Sequence, residues 1–284
     1  MVSSIDKVLE NLSDIPTLPD IVAKVTQLIT NPETTATDVS DALSRDPGLS
    51  AKILKIVNSA FYGFPRRITT ITNAVVILGF IRVRNLALSA YILDNYGTGV
   101  RVGFDMRAFW KHSIGVAFMA AQIARRIDSK LEEDAFICGL LHDLGKGIMA
   151  QKASVDMANV IEAVKKDNLI FLDAERRILD YDHVILGGAI AERWNLPKVM
   201  VNVMRYHHEP ATTEVEGQDR ILVAAINVAD IMAKSLFMGA SGDNRIPRLS
   251  SEAWAILGID WETLERAARR ALGEFQKSDT FFSI

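Results

Sequence analysis

The sequence predicts an all-α fold. Apolar residues recur three and four positions apart along almost the whole chain, the spacing that lines one face of a helix. The two-residue alternation of a half-buried strand is scarce. Turn-forming groups punctuate the periodic segments, among them Asn31-Pro32, Asp46-Pro47-Gly48, Asn95-Tyr96-Gly97-Thr98-Gly99 and Gly239-Ala240-Ser241-Gly242-Asp243-Asn244.

Ile5, Val8, Leu9 and Leu12 make a short amphipathic start. The two prolines of Ile15-Pro16-Thr17-Leu18-Pro19 favour an extended lead-in to a helix from Asp20 to Ile29. Thr35 and Asp38 can form a capping box for a helix from Thr37 to Ser44. Pro47 opens a helix through Val57, closed by Asn58-Ser59-Ala60-Phe61-Tyr62-Gly63. Two more helices, Thr69 to Leu78 and Ile81 to Leu93, are broken at Gly79, and the glycine-rich stretch 95–99 is the best candidate boundary. Asp105 can cap a helix running to Ile127. Further helices are expected from Glu132 to Gly145, Ser154 to Lys166, Asp173 to Asp180, His183 to Trp194, Lys198 to His207 and Arg220 to Lys234. Ser251 to Leu257 and Trp261 to Gln276 form a helical tail.

With 284 residues, 49% of them hydrophobic, the chain can bury a sizeable core without disulfides. A net charge of −3 gives no global pull toward nucleic acid or an anionic membrane, so neither is expected as a partner. The single cysteine, Cys138, lies in the apolar run Phe136-Ile137-Cys138-Gly139-Leu140-Leu141 and reads as a reduced core residue of a cytoplasmic protein. No apolar run approaches the ~20 residues of a membrane span. Met1 to Asp6 lack the basic-then-apolar pattern of a secretory signal.

The chemistry is concentrated in the second half. All five histidines, His112, His142, His183, His207 and His208, fall within or beside predicted helices there. Asp143 and Asp230 are carboxylates in apolar helical segments, where a bare charge is costly and demands a partner. Singly, each residue has a bland explanation: a hydrogen-bonded core imidazole, a helix cap, or a histidine at a helix C-terminus. A divalent cation accounts for all seven at once. Imidazole and carboxylate donors without thiolate suit Fe, Mn, Zn or Ni. Seven ligands exceed the usual set for one ion and suit two bridged by a carboxylate. Lys146, four residues after His142 and three after Asp143, shares their face if the helix continues; it is either an anion contact or a solvated helix-end lysine.

At these residues the sequence resembles the HD superfamily of metal-dependent phosphohydrolases, and within it the HDOD family, the HD-related output domain of bacterial signalling proteins. The resemblance covers roughly Ile15 to Ala233. It is carried by Ile15-Pro16-Thr17-Leu18-Pro19, Asp46-Pro47-Gly48-Leu49-Ser50, Val57-Asn58-Ser59-Ala60-Phe61-Tyr62-Gly63, Ala74-Val75-Val76-Ile77-Leu78-Gly79, Gly139-Leu140-Leu141-His142-Asp143-Leu144-Gly145-Lys146 and His183 through Trp194-Asn195-Leu196-Pro197. It implies an HD-like multi-helical fold: an HDOD domain over 13–235, with an N-terminal helical half (13–97), an HD-like half (105–235) and a tail (236–284).

The resemblance also implies a ligand set. His112, His142, Asp143 and Asp230 would hold one ion; Asp143 would bridge to a second held by His183 and His207, and His208 would add a ligand or touch a phosphate. Fe or Mn are the first expectations, Zn or Ni the next. The order of these residues is similar to that of HD-GYP phosphodiesterases, which hydrolyse cyclic di-GMP. Where their glycine-tyrosine-proline signature would follow His207-His208-Glu209, this chain has Pro210-Ala211-Thr212-Thr213, so cyclic di-GMP is not an expected substrate. The expected role is a signalling module acting through a protein partner, with Phe61, Tyr62 and Phe64 as first candidates for contact, or through a nucleotide or phosphate ligand. The alternative is a phosphohydrolase in which Asp143 and Lys146 act on a phosphate ester.

Overall fold

In a computed structural model the chain is described at residues 18, 20–59, 61–96, 100, 101 and 103–277. The amphipathic start at Ile5 to Leu12 lies outside them, as do most of the double-proline lead-in and Gly97 to Gly99. The described residues form two compact units, 20–96 and 100–275.

The first unit contains α1 (Asp20–Ile29), α2 (Ala36–Ser44), α3 (Pro47–Val57), α4 (Ile71–Leu78) and α5 (Phe80–Tyr96). Local chemistry fixes their starts. Thr35 and Asp38 form the capping box: Asp38 N–H donates to Thr35 Oγ1 at 3.2 Å and Thr35 N–H to Asp38 Oδ2 at 2.8 Å. Asp46 accepts from Leu49 N–H at 2.9 Å, with Pro47 in the first turn. Gly79, at φ 87°, separates α4 from α5 in a conformation an L side chain resists.

The second unit opens with a two-residue antiparallel pair, β1 (Val100–Arg101) and β2 (Phe104–Asp105), which periodicity does not reveal. There follow α6 (Met106–Ile127), a 3-10 turn, α7 (Glu132–Leu141), α8 (Leu144–Lys152), α9 (Ser154–Asp167), α10 (Phe171–Ile178), α11 (His183–Arg193), α12 (Lys198–Tyr206), α13 (Gly217–Ser235), α14 (Ser251–Leu257) and α15 (Trp261–Phe275). Asp105 caps α6, accepting from Arg107 and Ala108 N–H at 2.9 and 3.0 Å. From Ser113 to Ala124 every residue of α6 is buried, so it is a central helix; α7, α13 and α15 pack against it. Burying its Phe109, Trp110 and Phe118 contributes about 1.5–3 kcal/mol each. Residues 236–275 belong to this unit, α14 packing on α13 and α15 on α6.

Glycines set the closest crossings. A Cβ on Gly139 would stand 2.8 Å from Ala117 Cα, which brings α7 against α6. One on Gly145 would stand 2.0 Å from His183 O, which brings α8 against the start of α11. No helix among the described residues is long and apolar enough to cross a membrane.

Candidate metal centre

The helix expected from Glu132 to Gly145 is two helices, and this corrects the sequence reading. α7 ends at Leu141, Asp143 takes φ −101° and ψ 20°, and α8 starts at Leu144 and continues through Gly145. Asp143 therefore sits in the sparsely populated bridge region. Gly145 is a packing residue within α8 rather than a stop. Lys146 still meets Asp143, its ammonium donating to Asp143 Oδ2 at 2.7 Å.

The seven predicted residues converge from five places in the second unit. α6 supplies His112, the α7–α8 break His142 and Asp143, the first residue of α11 His183, the end of α12 His207 and His208, and α13 Asp230. Asp143, His183, His207 and His208 each present one donor atom within 4.8 Å of the others; so do His112, His142 and Asp230. The two oxygens of Asp143 face different ways. Oδ1 lies 3.2 Å from His183 Nε2 and 3.5 Å from His207 Nε2, while Oδ2 lies 3.3 Å from His142 Nε2. His112 Nε2 meets Asp230 Oδ1 at 2.8 Å.

The tautomers follow from partners that can only accept. His142 Nδ1–H donates to Gly139 O at 2.8 Å and His207 Nδ1–H to Val203 O at 3.0 Å. As neutral imidazoles, the form a metal binds, both would turn an unprotonated Nε2 toward Asp143, lone pair facing carboxylate. Among the described residues neither Nε2 has a hydrogen-bond partner, nor does Asp143 Oδ1, and all three atoms are buried. His183 Nε2 and His208 Nε2 also face each other, at 3.1 Å. Buried acceptors directed at acceptors are unfavourable by themselves. A cation among them reverses the sign, so the donor set fits a divalent ion.

Sequence reasoning missed Glu175. Buried on α10, it accepts from His183 Nδ1 at 2.5 Å and from His183 N–H at 3.2 Å, fixing both ring and backbone at the start of α11. A carboxylate behind an imidazole is the usual orienting partner of a metal-binding histidine. The next residue, Arg176, donates to Asp182 Oδ2 and Glu209 Oε1, each at 2.9 Å, tying the α11 cap to the segment carrying His207 and His208. A weak signal for Glu175 exists in the sequence: the apolar flanks Phe171, Leu172 and Ala174 that bury this face of α10.

Burial shapes the titration. It drives His112 and His207 below the ordinary imidazole range despite their aspartates. For Asp143 burial opposes ionisation, but Lys146, His142 and His183 outweigh it and hold the carboxyl well below its usual range. Asp230 is likewise held low, with Lys234 and His112 overcoming burial. His183 is pushed up to about 9, because Glu175 and Asp143 outweigh the burial that would lower it. Burial disfavours the Lys146 cation, yet Asp143, Asp230 and Glu175 raise it. Neutral imidazole at His112 and His207 and ionised carboxylate at Asp143 and Asp230 are the forms a cation binds, whereas His183 would release a proton to join them.

A largely helical unit that gathers five histidines and two aspartates, all but His208 buried, defines the class of the molecule, an HD-type helical protein. The HDOD domain model matches residues 15–210, and the chain belongs to the HDOD domain family. An HDOD domain protein of unknown function from Geobacter sulfurreducens superposes with a TM-score of 0.72 at 27% identity, covering 98% of this chain and 92% of that one. A Shewanella amazonensis protein at 24% identity shares the fold, with a TM-score of 0.71 and 98% of each chain covered. An uncharacterized protein of Treponema pallidum is 30% identical over 203 residues, 71% of this chain and 39% of its own length. Ribonuclease Y of Mycoplasma capricolum is 28% identical over 124 residues, 44% of this chain and 18% of that enzyme. The chain thus spans well under half of these curated relatives.

Proposed function

We propose that the chain is a signalling module of the HDOD type, built around an enclosed divalent-metal site and acting through protein contacts made by the N-terminal unit. His112, His142, Asp143 and Asp230 would hold one ion, and His183, His207 and His208 a second, with Asp143 between them. Imidazole and carboxylate donors accept iron, manganese, zinc or nickel, and iron or manganese are the first candidates for this site.

The observation that carries the reading is the enclosure of the cluster. His112, His142, Asp143, Lys146, His183, His207 and Asp230 are all buried, and only His208 is partly accessible. A substrate needs more of the reacting centre than one imidazole edge, whereas a structural or ligand-sensing site does not. The N-terminal unit, by contrast, exposes large apolar side chains at Val76, Ile77 and Ile81, the kind of surface a protein partner covers. Phe61, Tyr62 and Phe64 are half-buried and pack on one another, with centroids 4.9 and 5.9 Å apart, so they are less available than the sequence suggests.

One observation favours a second reading, a metal-dependent phosphohydrolase. The Lys146 ammonium lies beside Asp143 inside the cluster, where it could steady a phosphate oxygen once freed from that carboxylate. A divalent ion bound there supplies Lewis-acid charge to such an oxygen. The test is turnover of bis(p-nitrophenyl) phosphate by protein supplied with Fe or Mn. The signalling reading expects none above background; turnover abolished by both Lys146→Met and Asp143→Asn replaces it with the hydrolase.

A further inference from the structure

We propose that the N-terminal unit carries a binding site for a small phosphate ligand with a planar ring, of the nucleotide class, in the groove between α3 and the loop that follows it. The site lies wholly within the first unit, contains no residue of the metal cluster, and does not rest on the metal reading.

The groove follows from helix geometry. Ala51, Leu54, Lys55 and Asn58 stand at i, i+3, i+4 and i+7 and line one face of α3 and its cap. Phe64, Arg67, Ile68 and Thr69 form the other wall. The open groove has a volume of about 780 Å³, within the roughly 300–1,000 Å³ of small-molecule sites.

The loop wall is held in place. Asn58 Nδ2 donates to Leu54 O at 2.6 Å and Ile68 O at 2.7 Å, while Asn58 Oδ1 accepts from Ile68 N–H at 2.8 Å. Gly63, at φ 56°, turns the chain and donates to Ser59 O at 3.3 Å. Tyr62 backs Phe64 in a parallel stack, 9° between planes. A wall fixed before binding leaves little ordering to oppose association.

The lining selects the ligand. Among the described residues it holds two cations, Lys55 and Arg67, and no carboxylate. Arg67 is exposed and makes no ion pair among the described residues. Ser59 contributes a hydroxyl with no hydrogen-bond partner among the described residues, and Thr69 a second hydroxyl. Guanidinium, ammonium and hydroxyl donors match phosphate oxygens, with Arg the better geometric fit. Phe64 offers a surface for a planar ring. From Ala51 to Asn58 the groove is about 10 Å long at the helical rise. That suits a mononucleotide better than a peptide, which would present several side chains along a longer track.

The test is calorimetric titration of the full chain, stripped with chelator so that the metal cluster cannot hold phosphate. The probes are AMP, GMP, CMP and UMP, with inorganic phosphate and a glutamate-rich peptide as comparisons. At least one nucleotide should bind at a single site. Arg67→Gln should weaken it about tenfold, the loss of one charge-assisted contact, with an unchanged melting temperature, and Lys55→Gln should weaken it as well. Phe64→Leu should weaken the nucleotide but not inorganic phosphate. No nucleotide binding at millimolar concentration overturns the proposal, as does undiminished affinity in Arg67→Gln. Binding of the peptide alone overturns it in favour of an acidic-peptide dock.

Discussion

Glu175 Oε2 lies 2.5 Å from His183 Nδ1, with both side chains buried. The carboxylate fixes which nitrogen of His183 faces Asp143, and its second oxygen holds the backbone of the same residue. Glu175→Gln keeps the volume and removes the charge. It should lower metal affinity about 10- to 100-fold, the usual cost of losing an outer partner, while the chain stays folded. Competition with a fluorescent chelator reads the affinity, and circular dichroism the fold. Unchanged affinity would make Glu175 a purely structural group.

Close packing at Gly145 gives a stability prediction. Gly145→Ala drives a Cβ to 2.0 Å from His183 O, a backbone atom that cannot swing aside. The variant should lose about 1–3 kcal/mol or more in urea unfolding. Gly273→Ala is the control: no described residue lies within 4 Å of the added carbon on α15, so stability should hold or rise by up to about 1 kcal/mol.

The chain carries Pro210-Ala211-Thr212-Thr213 after Glu209, and the cluster beside it is enclosed. Cyclic di-GMP should therefore not be hydrolysed by protein supplied with Fe or Mn. Chromatography of the incubated nucleotide checks this, and appearance of a linear dinucleotide or GMP would show that the cluster opens to substrate.

Replacing Val76, Ile77 and Ile81 with serine should change stability little, within about 0.5 kcal/mol per site, because all three are exposed. The same change at Phe61, Tyr62 and Phe64 should destabilise, because these rings are half-buried against one another. Thermal melts separate the two sets. Loss of a captured partner in the first set alone would place the contact surface at α4 and α5.

Most of the architecture was legible because the local signals were strong. Thr35 with Asp38, Asp46 with Pro47, and Asp105 each cap the helix they announce. Five of the seven cluster residues were legible because histidine is rare here and every copy falls in one half of the chain, and Asp143 and Asp230 because each is a carboxylate in an apolar helical segment. What was not legible depended on distant partners. α10 begins at Phe171, whose N–H donates to Asp243 Oδ2, 72 residues away in sequence, so no local pattern marks that start. The break at His142 and Asp143 interrupts an unbroken apolar periodicity, and the close meeting of α8 with α11 at Gly145 just beyond it involves a residue 38 positions away. Glu175 hides among 35 acidic residues, beside the surface-like Arg176 and Arg177, and only the fold buries it behind His183.

The central claim is that the buried lone pairs of His142 Nε2, His207 Nε2 and Asp143 Oδ1 exist to hold a divalent cation. Elemental analysis of protein purified from cells grown with iron and manganese tests it most directly, with Asp143→Ala and His142→Ala prepared in parallel. The account predicts at least one divalent ion per native chain and its loss from both variants. Sub-stoichiometric metal in the native protein, or full retention in the variants, would contradict it.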